Sequence, residues 1–177
     1  MSEFFLQGLL HPVFMPAHLI LLLALGLLAG QQGAGAVKIV GGILLLSLAL
    51  ACGSTLQWRL RIELEISLLL SAMLIGSLVI LRLELPRWPL LLLALLTGVL
   101  IGLDSAAPRI PGLRGAKVYA LLAGTTLSSC VISLICGLFA LMVRNLLEGI
   151  VIRVLGAWIT AGAVLVLALY FVRDRLA

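Results

Sequence analysis

Charge is scarce in this sequence. Of 177 residues only 11% are charged, 7 acidic and 12 basic, against roughly a quarter in an ordinary soluble domain. Histidine occurs twice and cysteine three times. Enzyme motifs are missing: there is no GxSxG elbow, no HExxH, no Walker loop and no glycine-rich dinucleotide loop in a strand context. No catalytic residue is therefore assigned and a non-enzyme is expected. Without an ATP site, any transport would be passive, ion-coupled or driven by a partner. A soluble fold this small could not hide a chain that is 63% hydrophobic with a mean hydropathy of +1.30. The composition argues against a soluble enzyme, a disordered chain and a nucleic-acid-binding domain. The net charge of +5 does not change this, because the basic residues stand at the ends of apolar runs, as in membrane proteins.

What is present is a series of Leu-rich runs. A bilayer takes about 20 apolar residues as a helix, and continuous runs favour helices over a barrel, whose strands would alternate. The expected fold is all-α: a polytopic membrane protein forming a compact bundle of six transmembrane helices in a single domain, with spans at 14–30, 37–56, 64–83, 88–105, 118–142 and 149–172. Little chain is left for a soluble domain, so the lipid bilayer is the first partner. Trp58, Trp88 and Tyr170 fall near span ends, where amphipathic rings favour the headgroup layer, while Trp158 reads as packing inside the last span.

Six spans put both termini on one side. That side collects Arg59, Arg61, Arg109, Arg114, Lys117, Arg173 and Arg175; the other collects Lys38, Arg82, Arg87, Arg144 and Arg153. The excess puts the termini in the cytoplasm of an inner-membrane protein. The opening residues lack a basic stretch, so no signal peptide is expected.

Cys52, Cys130 and Cys136 lie inside spans, without CxxC spacing, and read as small apolar fillers. The pairs Gly26…Gly30, Gly98…Gly102, Ala72…Gly76 and Ala120…Gly124 have the small-xxx-small spacing that lets helix backbones approach.

The segment His11-Pro12-Val13-Phe14-Met15-Pro16-Ala17-His18 carries both histidines. Seven residues apart, they return to nearly one helical face, and Met15 lies between them at helical spacing from each. Imidazole suits nickel, copper or zinc, and thioether suits soft copper. Pro12 and Pro16 disturb that face, and Pro16 could itself start a helix. The competing reading is two hydrogen-bonded structural histidines.

Glu63, Glu65 and Glu148 match helix N-terminal dipoles. Asp104 falls at a helix C-terminus, where the dipole disfavours it, and so needs a partner: Arg109, Arg114 or a cation. Hydroxyls form stripes: Thr125, Thr126, Ser128, Ser129 and Ser133 in the fifth span, Ser67 and Ser71 in the third. They are candidates for a narrow polar path or for helix-to-helix hydrogen bonds.

These residues resemble the HupE/UreJ family of small membrane proteins. His11-Pro and His18 are similar to its HPxxGxDH signature. Glu63-Leu-Glu65-Ile-Ser67-Leu-Leu-Leu-Ser71 resembles its glutamate-led third span, and Thr97-Gly98-Val-Leu-Ile101-Gly102-Leu-Asp104, then Pro108, stands where the family has HGxAHGxE and a proline. Tyr119–Thr126 resembles the fifth-span opening, and Gly156, Ala157 and Gly162 the last-span glycines. The resemblance implies a helical membrane fold, a role accessory to hydrogenase or urease, and permeation of nickel or cobalt. The chain departs from the pattern at Met15 for glycine, Ala17 for aspartate, Thr97, Ile101 and Ser133 for histidines, and Asp104 for glutamate.

Three functions follow as expectations. In the first, a divalent metal (nickel or cobalt) permease has a reduced ligand set of His11, His18, Asp104 and Met15, with Thr97, Thr125, Ser129, Ser133, Ser67 and Ser71 along the route. No resident cofactor is implied; the metal is cargo. The second is a non-transporting membrane subunit of a larger assembly, with other subunits or copies of itself as partners. The third is a facilitator of a small neutral solute such as ammonia, urea or carbon dioxide.

Overall fold

The computed structural model describes residues 2–55, 64–105 and 115–176. Seven helices form: α1 Ser2–Phe14, α2 Pro16–Gln32, α3 Ala34–Ser54, α4 Glu65–Leu81, α5 Arg87–Asp104, α6 Ala116–Val143 and α7 Ile150–Leu176, the last preceded by a 3-10 turn at Leu146–Gly149. No strand occurs among the described residues.

The breaks have local causes. Proline opens α2 at Pro16 and caps α5 at Pro86, where its missing donor costs nothing. Gly33 alone joins α2 to α3, with φ of 113°, a conformation that a side chain would strain. Arg82 ends α4 with φ of 52°, the one non-glycine residue at positive φ among those described.

Helices α3, α5, α6 and α7 are each long and apolar enough to cross a bilayer, and the pair α1–α2, bent by 75°, makes a fifth crossing if taken as one. The expectation of six spans is therefore not met by length. The expected third span is α4, apolar but only 17 residues long. At 1.5 Å per residue it reaches about 26 Å, short of a hydrocarbon core of about 30 Å. The expected start of the first span also shifts, because a separate helix, α1, precedes it. Trp158, read as packing, is 71% exposed on the outside of α7, while Trp88 is exposed at the start of α5. Trp58, Arg59, Arg61, Glu63, Pro108, Arg109 and Arg114 lie outside the described residues.

The bundle is organised around α2, which touches all six other helices. Leu21, Leu22, Leu25 and Leu28 on it have no exposed surface. Four close pairings surround it, and small residues sit in each. Gly26 and Gly30 of α2 lie against Ser133, Gly137 and Ala140 of α6. Gly98 and Gly102 of α5 lie against Leu44, Ser47, Leu48 and Ala51 of α3. Gly76 of α4 meets Gly156 and Thr160 of α7, and Gly8 of α1 meets Leu121 and Gly124 of α6. In lipid there is no hydrophobic gain from joining apolar helices, so close backbone contact supplies the cohesion. The rising register of both contacts makes α2 and α6 parallel.

This packing predicts a contrast between two glycines. A Cβ on Gly26 would stand 2.6 Å from the Ser133 carbonyl oxygen, whereas a Cβ on Gly42 meets nothing within 4 Å. Gly26→Val should lower stability in detergent by about 1–3 kcal/mol through overpacking, and Gly42→Ala should leave it unchanged or higher. Denaturant titration of the purified variants checks both.

Candidate metal-contact site at the foot of the central helix

The two histidines converge with Asp104. The His18 ring is fully buried in the first turn of α2, and its Nε2 lies 2.8 Å from Asp104 Oδ2 at the end of α5. An ionised carboxylate only accepts hydrogen bonds, so His18 Nε2–H donates to it. The other ring nitrogen of His18, Nδ1, is buried without a partner. His11, in the last turn of α1, meets His18 edge to face, ring centroids 5.5 Å apart, and its Nε2 is also buried without a partner.

Heptad spacing is not what brings the rings together. On one straight helix, seven residues rise about 10.5 Å. Instead Met15 adopts an extended conformation (φ −98°, ψ 102°), and the 75° bend there folds α1 back onto the start of α2. The single face that would have carried His11, Met15 and His18 does not exist. Met15 occupies the joint itself and is 44% exposed.

Asp104 resolves an electrostatic difficulty by its position. It lies at the C-terminal end of its own helix, where a negative charge is unfavourable, yet it faces the N-terminal turn of α2, where it is favourable. Among the described residues its partner is His18; the expected Arg109 and Arg114 lie outside them.

The hydroxyl candidates divide. Thr97, two turns before Asp104 on α5, is fully buried and its Oγ1 has no partner; the same holds for Ser129 Oγ on α6. The parallel register of α2 and α6 puts Ser129 one turn nearer the His18 end than Ser133, which is also buried. Thr125 is buried but bonds back to the Leu121 carbonyl at 3.1 Å. In the third-span pair, Ser67 is exposed, and Ser71 donates to the Ser67 carbonyl at 2.7 Å. Cys52 lies 3.8 Å from the Gly102 carbonyl and 3.9 Å from Thr126 Oγ1. Among the described residues no group of three or more His, Cys, Asp and Glu is arranged to enclose a metal ion. The site offers two imidazole nitrogens, His11 Nε2 and His18 Nδ1, and a carboxylate already engaged by the other nitrogen of His18.

A bundle of apolar helices long enough to cross a bilayer, with a buried imidazole–carboxylate pair at the foot of its central helix, defines a polytopic helical membrane protein. Its sequence matches the model of the HupE / UreJ protein family over residues 1–166, and the chain belongs to that family. No curated protein and no solved structure matches it.

The pairing of His18 with Asp104 predicts energetic coupling. Asp104→Ala should cost about 1–3 kcal/mol by orphaning a buried ring nitrogen. His18→Ala with Asp104→Ala should cost less than the sum of the single changes, by about 0.5–3 kcal/mol. Additive losses in a double-mutant cycle would mean that the contact carries no coupling.

Proposed function

We propose that this chain is a membrane permease for a divalent transition-metal ion of the nickel or cobalt kind. One observation carries the reading. The only two histidines of the sequence face each other in the bundle interior, each with a buried ring nitrogen lacking a partner. Borderline divalent ions favour imidazole nitrogen. In this reading His11 and His18 give those nitrogens to the passing ion. Asp104 is a positioning residue: its hydrogen bond to Nε2 fixes the tautomer that leaves Nδ1 as an acceptor, and its charge offsets the cation's. Two nitrogens and no thiolate bind too weakly to store an ion. That suits transit, where an ion must enter and also leave. Thr97 and Ser129 supply unpartnered hydroxyls along the bundle above the site. Met15, at the exposed joint, takes no part.

Family membership supports the reading, since the resemblance implies an accessory role to nickel enzymes and nickel or cobalt permeation. A second reading, facilitation of a small neutral solute, rests on Thr97 and Ser129, which serve an uncharged molecule as well as an ion.

Reconstituted in liposomes, the protein should admit nickel or cobalt. His11→Ala and His18→Ala should each lower the initial rate at least about tenfold, the loss of one nitrogen ligand being worth more than about 1.4 kcal/mol. Met15→Leu should not change it. Uptake indifferent to both histidines would reject this site. Absence of metal uptake together with solute permeability above that of empty liposomes would favour the second reading.

A further inference from the structure

The opposite end of α2 carries a second polar site. Gln31 and Gln32 end the helix, and with Arg82, Glu84, Arg144 and Asn145 they line a cavity of about 220 Å³. Gln31 stands 13 residues beyond His18, about 20 Å along the helix, so this cavity is separate from the imidazole site.

Its wall is built rather than incidental. Gln32 ties α2 to the α4–α5 link twice: its Nε2 donates to the Leu83 carbonyl at 2.7 Å, and its Oε1 accepts from the Leu85 amide at 3.2 Å. Arg82 leaves α4 in the left-handed region, an uncommon conformation for a residue with a side chain. Its guanidinium carbon lies 3.2 Å from where a Cβ on Gly149 would stand, so a side chain at Gly149 would crowd it. Arg144 comes from the α6–α7 link, with Nη1 3.2 Å from the corresponding position on Gly33. Two guanidinium groups from separate links thus reach one small cavity. The buried Gln31 carboxamide oxygen beside them has no partner, and rotation of that group would present its NH₂ instead.

Among the described lining residues Glu84 is the one carboxylate, against two arginines. A divalent cation is repelled there. Guanidinium forks with carboxamide donors fit an oxyanion. We infer that this cavity binds a phosphate oxyanion, either free or as the headgroup of an anionic lipid at the bundle end.

The test uses the full chain in detergent and follows thermal unfolding. Three additions are compared at matched ionic strength: inorganic phosphate, phosphatidylglycerol and phosphatidylcholine. The binding arm should raise the midpoint by about 2–4 °C for each kcal/mol of linkage. Arg144→Gln should weaken that binding about tenfold, as loss of one charge-assisted contact does. Lys117→Gln, at the other end of the bundle, should retain it. A shift with phosphatidylglycerol alone identifies a lipid headgroup; a shift with inorganic phosphate identifies a free anion. No shift with either overturns the inference. So does a shift equal to that from phosphatidylcholine, or one untouched by Arg144→Gln. Should Arg144→Gln fail to fold, Asn145→Leu reads the same cavity. The outcome is independent of metal uptake, because none of these residues belongs to the imidazole site.

Discussion

Helix α2 has almost no face to spare. All six other helices contact it, and most of its side chains are buried. In hydrocarbon its backbone must satisfy itself, which a helix does. What remains is to hold the neighbours close without a hydrophobic driving force, and Gly26 and Gly30 do this by letting α6 approach backbone to backbone. The same device recurs where α5 meets α3 and where α4 meets α7. These contacts fix the heights of the helices relative to one another, and so decide which polar groups can meet.

His18 and Asp104 illustrate the consequence. They are 86 residues apart, yet Nε2 and Oδ2 stand at 2.8 Å. The pair joins the start of one helix to the end of another, so the carboxylate that burdens the end of α5 relieves the beginning of α2. A buried imidazole is costly unless its nitrogens are used. Asp104 uses one, and two others, on His11 and His18, are left unused in the same place. Unpartnered nitrogens inside a membrane bundle are expensive to maintain, and the proposed passage of a cation would give them a partner.

The described polar groups at the two ends of α2 differ in kind. At the foot of α2 stand imidazoles and a carboxylate; at its head stand Arg82 and Arg144 around a small cavity. Gln32 braces the second end by fastening α2 to the α4–α5 link, so the same central helix organises both.

Much of this was legible in the residues. The helical membrane fold follows from the apolar runs and the scarcity of charge. The HupE / UreJ family follows from short motifs around His11, His18 and Asp104, and the glycine pairs marked real interfaces. Helix α1 was less legible, because Ser2–Phe14 mixes polar and apolar residues and acquires its role only by packing Gly8 on α6. The six crossings are not confirmed among the described residues, because apolar composition does not measure length: α4 is apolar yet short there. Gln31 could have been noticed as half of a Gln–Gln pair ending an apolar run.

Local pattern thus determined which segments are helices in lipid and which side chains carry chemistry, because hydropathy, proline and glycine act within a few residues of themselves. Tertiary structure alone decided that His11 reaches His18 across a bend, that Asp104 closes on His18, and that Ser67 is exposed. Contacts between distant segments depend on helix heights and rotations. Those are set by the summed packing of every interface, and no single stretch of sequence contains them.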